Sequence, residues 1–261
     1  MKTSAVVLLA ALVPAVALAQ GASTDDMNAA NNPLTPTITV NFQDYWAPTL
    51  YDVDDAYTNS FLFRGLVPLK LGGRGQLLRY TLPVTTVSPG NGSTTGLGDL
   101  NLLDLLPFKG GGAELALGPQ LTIPTATEDE TGTGKWQAGL AALAIKPNAK
   151  GILGALLTWQ ASFAGDEDRG DQNGLTFQPL FIHNLPNGLY LRSTGNWVFD
   201  FENDRYVIPL GIGLGKVWAR PTGRTVNAFL EPQFSVAHDG AGQPQFQLFA
   251  GVNLQFPIGA K

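Results

Sequence analysis

Residues 244–257 read P-Q-F-Q-L-F-A-G-V-N-L-Q-F-P. Successive side chains of a strand point to opposite faces, so the stretch separates into two surfaces. Gln245, Gln247, Gly251, Asn253 and Gln255 fall on one, with Phe249 the single large apolar residue among them. Phe246, Leu248, Ala250, Val252, Leu254 and Phe256 fall on the other. A soluble sheet with one wet face reads the same way. Repetition separates the two cases. Most of the chain after Thr35 divides into similar segments of roughly ten residues, the pattern of a membrane-spanning β-barrel.

Working back from this segment, the alternation recurs. Val226, Ala228, Leu230, Phe234 and Val236 alternate with Asn227, Glu231, Gln233 and Ser235. Tyr206, Ile208, Leu210, Ile212 and Leu214 stand over a row of Gly211, Gly213 and Gly215. Leu189, Leu191, Trp197 and Phe199 oppose Arg192, Thr194 and Asn196; Leu153, Leu157, Trp159 and Phe163 oppose Thr158, Gln160 and Ser162. Two segments fit poorly. The parity of residues 97–106 breaks at Leu103-Asp104, which suggests a bulge or a strand end. The two faces of residues 136–144 are hard to tell apart. The expected fold is all-β: a transmembrane antiparallel β-barrel of about twelve strands, an even number as in bacterial single-chain barrels.

The connections alternate in character too. One set is acidic or rich in Gly, Ser and Thr, and includes Glu128-Asp129-Glu130 and Asp166-Glu167-Asp168. The other set is tight and carries Arg74, Lys109, Lys146, Lys150, Arg220 and Arg224. Bacterial barrels have long external loops and short periplasmic turns, so the acidic set is expected outside. Tyr45, Trp46, Trp136, Trp159, Phe163, Trp197, Phe199 and Trp218 gather near strand ends, as an interfacial girdle would.

Residues 1–19 read as a secretory signal peptide: Lys2, an apolar run from Ala5 to Val13, and Ala17-Leu18-Ala19 before Gln20. The chain has no cysteine, which excludes disulfides and lipidation after the leader. Residues 20–36 are expected to form a flexible segment, and 37–261 the barrel. Net charge is −5 and no basic stripe is present, so nucleic acid is not an expected partner.

Several short motifs carry a resemblance. Gly118-Pro119-Gln120-Leu121 running to Pro124-Thr125 is one, and Gly132-x-Gly134-Lys135-Trp136-x-x-Gly139 is another. Asn184-Leu185-Pro186-Asn187-Gly188-x-Tyr190-Leu191-Arg192-Ser193 and Pro209-Leu210-Gly211-x-Gly213-x-Gly215-Lys216-Val217 continue it. Together they resemble the outer-membrane barrels known as meta-pathway phenol-degradation transporter-like proteins. That resemblance implies uptake of small, often aromatic or apolar, compounds. It implies no catalytic residues.

The inward positions supply the candidate site. Arg64, Arg79, Asp99, Glu114, Gln120, Gln160, Arg192, Glu231 and Gln247 are the expected lumen lining. They read either as a selective pore lining of opposed charges or as pairs that fill the tube. No cofactor or metal is implied, because the acidic loops lack the spacing of a calcium loop and no helix follows Gly96-Leu97-Gly98-Asp99. A barrel hydrolase would need a histidine at the outer rim. His238-Asp239 is the one candidate there, since His183 sits beside a periplasmic turn. The expected function is passive uptake of small molecules across the outer membrane of a Gram-negative bacterium, with lipid and lipopolysaccharide around the barrel. A structural barrel and an outer-membrane hydrolase are the alternatives. Nothing in the chain sets the solute or the oligomeric state.

Overall fold

The computed structural model of the chain describes residues 22–220 and 222–258. The expected leader, residues 1–19, lies outside them. After helix α1 (Thr24–Asn31), every long element is a strand. β1 is Ile38–Leu50, β2 Tyr57–Leu71, β3 Arg74–Ser88, and β4 comprises Thr94–Leu97 and Leu100–Gly110. β5 is Ala113–Ile123, β6 Lys135–Asn148, β7 Gly151–Gly165 and β8 Asn173–Asn184. β9 comprises Leu189–Ser193 and Trp197–Asp200, and β10 Arg205–Gly211 and Gly213–Ala219. β11 is Thr225–Asp239 and β12 Pro244–Phe256. Each pairs antiparallel with its sequence neighbours, and β1 pairs with β12 from Ile38↔Phe256 to Trp46↔Leu248, so the ring of 12 strands is closed.

Closure removes the sheet edges that an apolar exterior would otherwise expose to aggregation. The outward faces are oily: Phe63, Leu117, Leu140, Leu153, Phe163, Leu210, Ile212, Leu230 and Phe234 are all exposed. Among the described residues no helix is long and apolar enough to cross a membrane; a closed ring of strands is the other structure that can satisfy its backbone within lipid. At one end the connections are tight. Gly72 and Gly73 (φ +55° and +77°) and Gly111 and Gly112 (φ +60° and +75°) form two-residue turns that need positive φ at both positions. The longer connections (51–56, 124–134, 166–172) cluster at the other end. Loop 124–134 folds back on β4, where Thr127 Oγ1 accepts from the Leu97 amide and Thr131 Oγ1 donates to the Leu97 carbonyl.

From residue 22 onward, the segment before the barrel, expected to be flexible, carries a short capped helix. Ser23 accepts from the Asp26 amide while Asp26 accepts from the Ser23 amide, and this reciprocal cap starts α1. The helix lies inside the barrel at the tight-turn end. Met27, Ala30 and Leu34 are buried against inward residues that include Leu77, Leu103, Leu105, Leu143, Ile145, Ile152, Tyr190 and Val217. Burying Met27 and Leu34 contributes roughly 1.5–3 kcal/mol each. The wall also bonds the helix. Asn227 Nδ2 donates to the Ala30 carbonyl at 3.3 Å, Gln255 Nε2 to the same oxygen at 3.0 Å, and Asn184 Nδ2 to Asn28 Oδ1 at 2.9 Å.

α1 explains both awkward segments. β4 runs through Leu103-Asp104 in unbroken register with β3 (Arg79↔Leu103, Leu78↔Asp104), so the break in parity is neither a bulge nor a strand end. Leu103 and Leu105 point inward because they face the helix, and Asp104 is left on the outer face beside Leu78. In β6, Gln137 lies above the helix, whereas Ala141, Leu143 and Ile145 pack around it; the inner face is therefore half apolar.

Candidate functional site

Two layers of the lumen lie above α1. The lower is an ion pair. Arg192 Nε donates to Glu231 Oε2 at 2.7 Å, and both side chains are almost fully buried. Glu231 also accepts from the Thr194 amide (2.7 Å), the Thr194 hydroxyl (2.7 Å) and Gln233 Nε2 (2.8 Å). A buried carboxylate is tolerated only when its lone pairs are so occupied. Arg192 Cζ sits 3.6 Å over the Phe229 ring and 5.1 Å from that of Phe249. Phe249, the lone apolar residue on the wet face of β12, stacks on Tyr45 with ring centroids 4.0 Å apart. Tyr45 therefore lies inside the barrel and not in the outer girdle, while Trp46 beside it is exposed outside. The glycine row of β10 makes this layer possible: a Cβ at Gly213 would strike Glu231, and one at Gly215 the Tyr190 ring.

Above this layer the barrel holds a cavity of about 400 Å³ on the loop side. Arg64, Arg79, Asn101, Gln120, Gln137, Thr158, Gln160, Thr176, Gln178 and Asn196 line it, with Gln172, Asn173 and Asp200 toward the rim. Arg64 Nε donates to Thr81 Oγ1 at 3.0 Å and its Nη1 to Gln43 Oε1 at 3.1 Å. Thr122 Oγ1 donates to Gln160 Oε1 at 3.0 Å. Arg79 Nε is buried and has no hydrogen-bond partner.

The nine expected lining residues thus divide. Arg64, Arg79, Gln120 and Gln160 line the cavity. Arg192 and Glu231 form the layer below, with Gln247 donating to Gln233 beside them. Asp99 lies in the break of β4, where it accepts from the Thr133 amide and hydroxyl and fixes loop 124–134. Glu114 accepts from Asn32 Nδ2 at 2.8 Å, next to α1. Arginines facing a row of acids across one lumen are therefore not what forms, because the acids serve the loop, the ion pair and the helix. Sequence reading placed Asn101 and Gln178 inward without counting them in the lining, and assigned Gln137 and Thr176 to neither face. Their inward parity was the available signal, but strand-by-strand alternation does not show which inward positions lie at the height of the cavity.

The acidic loops are tied to neighbours. Arg169 Nη2 donates to the carbonyls of Asp129 and Gly132, both at 2.6 Å, and Lys135 pairs with Asp171 at 3.2 Å. Hydrogen bonds from Lys135 and Ser162 hold the Asp171 carboxyl below its ordinary pKa. Among the described residues no cluster of three His, Asp or Glu side chains could hold a metal ion. His238 belongs to β11 and stacks on Tyr51 at 3.4 Å, with Nδ1 buried and unbonded, so no carboxylate orients it as a base.

No family model and no curated protein matches the chain. Solved structures do. The crystal structure of the COG4313 outer membrane channel from Pseudomonas putida F1 shares 16% identity, covers 94% of this chain and 100% of that one, and superposes with a TM-score of 0.64. The KdgM porin in complex with disordered oligogalacturonate shares 10% identity over 84% of this chain and 99% of that one, with a TM-score of 0.47. At 16% identity the first likeness is one of fold: this chain has the architecture of an outer-membrane β-barrel.

Proposed function

We propose that the chain is an outer-membrane channel through which small molecules pass passively, and that α1 closes its inner end at rest. One observation carries the reading: a closed, oil-coated ring holds a polar cavity of about 400 Å³ on the loop side. That volume falls in the range of small-molecule sites, roughly 300–1,000 Å³. Amides, hydroxyls and guanidinium groups line it, which favours a small solute bearing hydrogen-bonding groups. A substituted aromatic ring satisfies both this lining and the aromatic solutes that the sequence resemblance implies. With the acidic loops outside, α1 stands at the periplasmic mouth.

Single-channel recording in a planar bilayer tests the reading. The chain has no native cysteine, so Asn28→Cys with Asn184→Cys gives a clean pair between helix and wall. Discrete conductance steps are expected from the refolded protein. A thiol-reactive bridge containing a cleavable disulfide should abolish them, and reduction should restore them. Steps that survive bridging would remove α1 as the closing element. A folded barrel with no current in any form would remove the channel reading itself.

A further inference from the structure

We propose that Arg64 and Arg79 form a binding site for the carboxylate of a small organic acid; the inference deepens the channel reading by naming the class of solute. The two side chains lie on one face of neighbouring strands, Arg64 opposite Thr81 and Arg79 opposite Leu66. They are diagonal neighbours, near enough to share one ligand. Both line the cavity.

Their partners set them apart from the third lumen arginine. Among the described residues the ion pairs are Lys135–Asp171, Arg169–Asp129 and Arg192–Glu231, so neither Arg64 nor Arg79 has a carboxylate. Arg64 bonds only the neutral side chains of Thr81 and Gln43, and Arg79 Nε is buried without a partner. A guanidinium group partly buried in the wall of a cavity without an anion is incompletely compensated. Its planar fork matches a carboxylate, which it binds through two parallel, charge-assisted bonds. The acids that might have served are engaged elsewhere. Asp99 holds loop 124–134, Glu114 the Asn32 amide, Glu231 Arg192, and Asp200, at the cavity rim, the Glu202 and Asn203 amides of its own turn. Gln120, Gln137 and Gln160 then surround the body of the ligand with neutral donors and acceptors.

The test is a titration of the refolded full-length protein in detergent micelles, which reads binding whether or not the channel opens. Sodium benzoate is the probe, with benzyl alcohol as its neutral analogue and inorganic phosphate as a second anion. Benzoate is expected to bind saturably and to raise the unfolding midpoint. Arg79→Gln should weaken it roughly 10- to 100-fold, the loss of a charged bidentate contact. Arg64→Gln with Arg79→Gln should abolish it, and Arg79→Lys, which keeps charge without the fork, should fall between. Heat-shifted gel mobility shows that each variant is folded. Benzoate binding unchanged in the double variant, or equal binding of benzyl alcohol, overturns the site. Phosphate binding as tightly as benzoate overturns its assignment to carboxylates. A failed conductance experiment alongside arginine-dependent benzoate binding would discard the channel and keep the site.

Discussion

Arg192 and Arg79 show how far one residue type can diverge inside a single lumen. Arg192 is held by Glu231 and Thr194 and packs on Phe229; Arg79 Nε is buried with no hydrogen-bond partner. Their mutational signatures should diverge accordingly. Arg192→Ala leaves the Glu231 carboxylate buried and unpaired, and should destabilise the barrel by about 3–5 kcal/mol in urea unfolding from lipid vesicles. Adding Glu231→Gln should recover part of that loss, because the amide carries no charge to strand. Asp104 shows what alternation alone can and cannot tell. Its place beside outward Leu78 follows directly from the pairing of β3 with β4, yet its charge made the segment look broken. The parity rule was sound; the expectation that every polar side chain points inward was not.

At the scale of the element, one unrecognised helix accounts for the two segments whose faces were hard to read in the sequence. Alternation found the strands because the oily outer face is uniform. It faltered wherever the inner face stopped being wet, at Leu103 and Leu105 of β4 and at Ala141, Leu143 and Ile145 of β6. All of these surround α1. The helix itself reads T-D-D-M-N-A-A-N, too short and too polar to announce a packed face. The capping pair Ser23 and Asp26 was its only local signal. Its buried apolar contacts can be measured. Met27→Ala should cost about 2–5 kcal/mol of the helix's seating. Limited proteolysis of the reconstituted protein should then cut residues 22–36 faster while the barrel keeps its heat-shifted mobility. Equal cleavage of variant and wild type would mean that Met27 does not hold the segment.

For the whole molecule, the strand count and the closed ring were legible because they depend on period and spacing alone. The site was less so. Arg64, Arg79, Gln120 and Gln160 were read as inward and lie at the cavity, but the height of each residue along the barrel axis, which separates cavity from ion pair from helix, emerges only from the register of all twelve strands together. The alternation of connections also predicts an orientation. In intact cells a membrane-impermeant maleimide should label Glu167→Cys, in the long loop after β7, and spare Gly111→Cys, in the tight turn after β4. Labelling in the reverse pattern would invert the barrel.

The stretch between α1 and β1 is short, residues 32–37. Fully extended it reaches about 20 Å. A helix that leaves the lumen therefore stays on a leash at the mouth it came from. Its return is a first-order event governed by an effective concentration on the order of millimolar, the same in a crowded membrane as in a single reconstituted pore. The lifetime of an open state is then a property of leash length: lengthening residues 32–37 should prolong it, and diluting the protein should not.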